Sequence, residues 1–180
     1  MVFKIFNTRI KIDYLLFVLV SACILFEYYE IFDVLLFCVL HELGHLLILI
    51  IFDQNIEMIN FTYYGIAIKF VNRLSHFKEL LYLFGGLFVN LIFVLLNVKT
   101  EINMALLFIN IFPIYPLDGG RILKIVLNSI FSYDIALVLL KIISISCLFT
   151  ILLFGIIIKN VSLILISIYL FIFCLSNSFD

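Results

Sequence analysis

Val39-Leu40-His41-Glu42-Leu43-Gly44-His45-Leu46-Leu47 sets two imidazoles and a carboxylate inside a stretch dominated by Leu, Ile, Val, Phe and Cys. Histidines four residues apart stand one turn apart on the same face of a helix, so both rings reach a common point. That spacing suits two ligands of one zinc ion. Glu42 follows the first histidine and can approach a water at that point from the side, as a general base. Gly44 removes a side chain beside the pair, where a neighbouring helix or a substrate can come close.

In a water-soluble chain the same spacing arises by chance in amphipathic helices, so the surroundings decide its meaning. The chain has 180 residues, 66% of them hydrophobic and 13% charged, with a mean hydropathy of +1.32. Ordinary globular chains are about 45–50% apolar and about 25% charged. Lipid is therefore the expected solvent. Burying one ionisable group at the centre of a bilayer costs about 2.5–3.5 kcal/mol. A single metal ion would satisfy both imidazoles at once.

Composition also excludes several classes. The net charge of −1 and the absence of a basic stripe argue against a nucleic-acid partner. Cys23, Cys38, Cys147 and Cys174 all fall in apolar stretches without a C-x-x-C pair, so neither a disulfide framework nor a cysteine zinc site is expected. No linker, charge run or repeat marks a second domain, and residues 1–180 read as one membrane-embedded domain.

Working outward, a helix needs about 20 apolar residues to cross the bilayer core. The candidate spans are residues 12–26, 31–52, 80–98, 102–115 running on past Pro116, 135–158 and 161–175. The expected fold is an α-helical, multi-pass membrane protein with about six transmembrane helices. The first span follows a basic segment but lacks a small-residue cleavage site, and reads as a retained helix. Residues 55–71 differ. Glu57, Ile59, Phe61 and Tyr63 share one parity, Gly65 follows, and Ile66-Ala67-Ile68-Lys69-Phe70 comes next. This reads as a short β-hairpin at the membrane surface, with a plain polar loop as the alternative.

Six spans put Lys4, Arg9, Lys11, Lys69, Arg73, Lys78, Arg121 and Lys124 on one side. Lys99, Lys159 and the acidic group Glu27, Glu30 and Asp33 fall on the other. The excess of basic residues marks the cytoplasmic side, so both termini are expected in the cytoplasm of a cell-membrane protein.

Catalytic zinc usually has three protein ligands and one open position. The candidate third ligand is Asp118, in Asn110-Ile111-Phe112-Pro113-Ile114-Tyr115-Pro116-Leu117-Asp118-Gly119-Gly120-Arg121. The prolines interrupt a helix. The glycines allow tight packing or unusual backbone angles, and a carboxylate at the start of the next helix is favoured by its dipole. Asp118 also suits an N-cap, and the two roles are compatible. Glu57, Glu79 and Glu101 are rival third ligands, each in or beside an expected loop. A zinc-binding membrane protein or transporter without proteolytic activity is the non-enzymatic alternative. A transporter wants polar residues along a path, often duplicated in two halves, and only one cluster is present.

HELGH together with NxxPxxPLDGGR resembles the site-2 proteases, intramembrane zinc metalloproteases, and within them a short bacterial sporulation form. The resemblance covers Phe37 to Lys124 by motif. It implies a three-helix catalytic core, with one zinc per chain on His41, His45 and Asp118 and with Glu42 as catalytic base. It implies that the middle helix carries Leu83-Phe84-Gly85-Gly86-Leu87-Phe88-Val89-Asn90. Leu87 stands where relatives often carry proline. Gly86 and Asn90 are the corresponding substrate-binding candidates, and an interhelical hydrogen bond is the other reading of Asn90. The implied partners are the lipid bilayer, a membrane-associated protein substrate such as a sigma-factor precursor, and regulatory membrane proteins. No PDZ or CBS domain is expected.

Overall fold

The computed structural model describes residues 2–5, 8–62, 65–71 and 74–176. Tyr63 and Arg73, which entered the reading above, lie outside the described residues. Two compact units form, Met1–Leu107 and Phe108–Asp180.

The first unit opens with strands β1 (Val2–Ile5) and β2 (Thr8–Ile12), followed by helices α1 (Tyr14–Leu25) and α2 (Tyr29–Ile51). Strands β3 (Ile56–Thr62) and β4 (Gly65–Phe70) come next, then helix α3 (His76–Leu95). The expected hairpin is present as β3 and β4, paired antiparallel. It is half of a larger sheet of order β1-β2-β3-β4. β2 pairs with β3 in parallel, with Arg9 opposite Met58. A parallel pair needs a long crossover, and α1 with α2 supplies it. Arg9 also reaches Glu57 at 3.2 Å across this pair. The basic N-terminal residues thus form strands, where hydropathy alone marked a flank.

α2 and α3 pack together, and their closest approach falls at two glycines. A Cβ on Gly44 would lie 2.8 Å from the Gly85 carbonyl carbon, and one on Gly85 would lie 2.7 Å from the Gly44 oxygen. Small residues allow membrane helices to meet backbone to backbone. Toward one end, Phe37 meets Phe93 edge-on with ring centroids 5.2 Å apart. Beside and beyond this seam α2 exposes Leu43, Leu47, Ile50 and Ile51. An apolar outer face on a helix of 23 residues suits lipid contact. α3 runs unbroken through Leu87, so the missing proline leaves a continuous helix.

Helix α4 (Thr100–Ile111) leads to the second unit, which holds α5 (Asp118–Ile130), α6 (Tyr133–Ile157) and α7 (Val161–Ser176). Its core gathers Ile114, Leu127, Ala136, Leu140, Leu148, Leu170 and Cys174. Among the described residues α2, α3 and α6 are long and apolar enough to cross a membrane. α1 and α4 each have 12 residues, about 18 Å of helix against a bilayer core of about 30 Å. α7 has 16. These three are shorter than single crossings require, and the expected break after α4 is present at Pro113 to Pro116.

Candidate metal centre

The centre is built from residues four apart on two facing helices. On α2, Phe37, His41, His45 and Leu49 are all buried. On α3 the matching row is Tyr82, Gly86 and Asn90, also buried. The apolar members hold the helices together, and the polar members meet at one level.

His45 and His41 bring their Nε2 atoms to 3.2 Å, with the rings at 85°. Two nitrogen ligands at 2.0–2.1 Å on a tetrahedral zinc are about 3.4 Å apart. The pair is therefore spaced for a shared ion. His45 Nδ1 lies 2.7 Å from the Tyr82 carbonyl oxygen. A proton on Nδ1 donates to that carbonyl and leaves the Nε2 lone pair for a metal. His41 Nδ1 lies 3.1 Å from Asn90 Nδ2. Gly86 clears the space in front of both rings, since a Cβ there would lie 2.5 Å from Nε2 of His41 and 2.5 Å from Nε2 of His45. Ligand atoms of His41, Glu42 and His45 fall within 4.8 Å of one another. The residues present fit a metal of zinc type, with two imidazoles and an adjacent carboxylate.

Glu42 is half-buried, whereas the histidines are 4% and 2% exposed. The carboxylate thus stands at the edge of the pair, while the two imidazoles are sheltered. Asn90, expected against substrate, is fully buried with its amide on His41. Gly86, the other such candidate, faces the imidazoles.

Asp118 belongs to the second unit and is 7% exposed. It is the first residue of α5, and Leu117 is the N-cap. The N-cap reading is thereby moved by one position. The chain before it is non-helical backbone, whose polar groups need partners where they are buried. Ser144 of α6 supplies one twice, accepting from the Tyr115 N–H at 3.1 Å and donating to the Pro113 carbonyl at 3.4 Å. The Cys174 thiol donates to the Tyr115 carbonyl at 3.0 Å. Gly119 and Gly120 serve close approach: a Cβ on the first would strike the Ile111 and Phe112 carbonyls, and on the second the Ile114–Tyr115 backbone.

Of the rival ligands, Glu57 faces Arg9 in the sheet and is half-exposed. Glu79 lies in the first turn of α3, and Glu101 in that of α4. Tyr82 and Ser144 were missed by sequence reasoning. The row 82, 86, 90 could have revealed Tyr82. Ser144 carries no local signal.

No protein-family model matches the chain, and no curated protein matches it. Among solved structures it is similar to the site-2 protease from Methanocaldococcus jannaschii, with a TM-score of 0.69 and 22% identity, covering 100% of this chain and 96% of that one. The fold is shared across the full chain.

Proposed function

We propose that this chain is a site-2-type intramembrane zinc metalloprotease that hydrolyses a peptide bond in a membrane-associated regulatory protein. The observation that carries this reading is the pair of Nε2 atoms 3.2 Å apart beside Glu42, on a fold shared with a site-2 protease. In this reading His41, His45 and Asp118 hold one zinc ion per chain. When bound, zinc supplies Lewis-acid chemistry, polarising a carbonyl and lowering the pKa of a water toward about 7.

This chain's own residues do the rest. Glu42 takes the proton of the attacking water and returns it to the departing amine, so that the peptide bond ends as an acid and an amine. The Tyr82 carbonyl keeps His45 in the tautomer a metal requires. Ser144 and Cys174 hold the loop that precedes Asp118. The scissile segment must be extended, because a helix hides its carbonyls. β4 is an edge strand and packs against α2. Its last residue, Phe70, stacks edge-on against Tyr82 at 5.8 Å. A peptide added to that edge would pair through its backbone close to the residue that holds His45.

The six-span topology with cytoplasmic termini belongs to this proposal, with the bilayer and regulatory membrane proteins as partners. So does a sigma-factor precursor as substrate, which rests on the sporulation resemblance. Reconstituting the purified chain with a membrane-tethered peptide substrate tests the activity. Cleavage should vanish on chelation and return with zinc. Intact substrate in the zinc-loaded sample, across a panel of such substrates, would favour a zinc-binding membrane protein without protease activity. Asp118→Ala should lose stoichiometric zinc, and retention of one zinc per chain would remove Asp118 from the ligand set.

A further inference from the structure

The heavy atoms around His41 admit two proton arrangements. In the first, the Asn90 amide donates to His41 Nδ1 across 3.1 Å. His41 then carries its proton on Nε2 and can donate it to His45 Nε2, 3.2 Å away. In the second, the amide is turned by half a revolution. Oδ1 then faces His41, which donates from Nδ1 and has a bare Nε2.

The requirements of a shared ion separate them. With Nδ2 toward His41, Asn90 Oδ1 is a buried acceptor with no hydrogen-bond partner; turning the amide gives that oxygen the His41 N–H and leaves the amide nitrogen in its place, so hydrogen-bond satisfaction alone does not choose. Nitrogen and oxygen of an amide occupy nearly the same positions, so the turn moves no heavy atom. His45 already has the second arrangement, with its Nδ1 on the Tyr82 carbonyl at 2.7 Å. Only when both histidines donate from Nδ1 do both Nε2 lone pairs point to one ion.

We infer that Asn90 is a positioning residue for the metal centre: its side-chain oxygen accepts from His41 Nδ1–H and fixes the tautomer in which His41 can bind a metal. This rests on the proposed zinc site and assigns Asn90 to the histidine rather than to substrate. Asn90 and Tyr82 then play equivalent parts, one with a side-chain oxygen and one with a backbone oxygen, at the two ends of the same row on α3.

The test measures zinc affinity of the full-length chain in detergent, by competition with a chromophoric chelator and with no substrate present. Asn90→Leu keeps the volume and removes the acceptor. Asn90→Asp keeps an acceptor oxygen whether or not it is ionised. Loss of such an outer partner weakens metal binding by about 10–100-fold, and that loss is expected for leucine. The aspartate variant should stay within about threefold of wild type, since it keeps the outer acceptor. Alanine replaces leucine if the latter fails to fold. Wild-type affinity in the leucine or alanine variant would overturn the inference while leaving the zinc site intact. So would equal losses in the aspartate and leucine variants. A wild-type chain that binds no zinc would overturn the metal centre itself and the role of Asn90 with it.

Discussion

A single methyl group distinguishes a centre that can accept a metal from one that cannot. At position 86 it would press on both Nε2 atoms at 2.5 Å, where an ion has to sit. Gly86→Ala should therefore weaken zinc binding by at least about tenfold, or about 1.4 kcal/mol, with the helical signal in circular dichroism unchanged. Unaltered zinc affinity would mean that α3 does not bound the site as described. His41, Glu42 and His45 were legible because ionisable residues inside an apolar helix demand a partner. Gly86 and Asn90 were legible as positions but not as roles. Their part depends on which face of α3 meets α2, and a helix that is apolar on nearly every side carries little record of that. The carbonyl of Tyr82 is a backbone atom, so the identity of residue 82 says nothing of it.

At the scale of elements, the seam between α2 and α3 and the loop before α5 share a design. Backbone comes close to backbone, with glycine where it does. Gly44→Leu should force the two helices apart. Overpacking costs about 1–3 kcal/mol, seen as a lower melting temperature in detergent, and an unchanged one would contradict the close crossing. In the second unit, Ser144→Ala strips the Tyr115 N–H of its acceptor. A buried donor left unpaired costs about 1–3 kcal/mol, again readable by thermal melting. The prolines announced that a helix must stop, and the glycines that something packs there. Neither announced Ser144, because its partners lie about thirty residues earlier, at 29 and 31 positions' distance. The N-terminal strands escaped notice for a related reason. Val2 to Ile12 has charge where a membrane flank would have charge, and its pairing with β3 spans 48 residues between Arg9 and Glu57. Long-range pairing of this kind leaves no local pattern.

At the scale of the whole molecule, the fold shared with a site-2 protease over the full chain was foreshadowed by two short motifs and the overall hydropathy. The number of crossings was less legible, since α1 and α4 have 12 residues each where a crossing takes about 20. Electrostatics act at the rim. Lys99 Nζ meets Asp33 at 2.6 Å. The hydrogen bond to Asp33, and then its charge, raise the Lys99 pKa above the ordinary lysine value. A raised pKa means that the pair contributes fully below the unfolded lysine pKa and is lost as pH rises through the folded one. Wild-type thermal stability should therefore fall in strongly alkaline solution by a component that Lys99→Gln removes. Parallel alkaline limbs in the two proteins would show that the pair contributes nothing. Because the lysine is exposed, the difference should also shrink in high salt.

All three scales meet at Glu42, which belongs to the histidine motif, stands at the edge of the buried pair and gives the fold its proposed chemistry. The most direct measurement compares wild type with Glu42→Gln, each purified, assayed for zinc content and incubated with the same membrane-tethered substrate. The glutamine variant should hold one zinc per chain and leave the substrate intact while wild type cleaves it. Cleavage by Glu42→Gln at the wild-type rate would contradict the account.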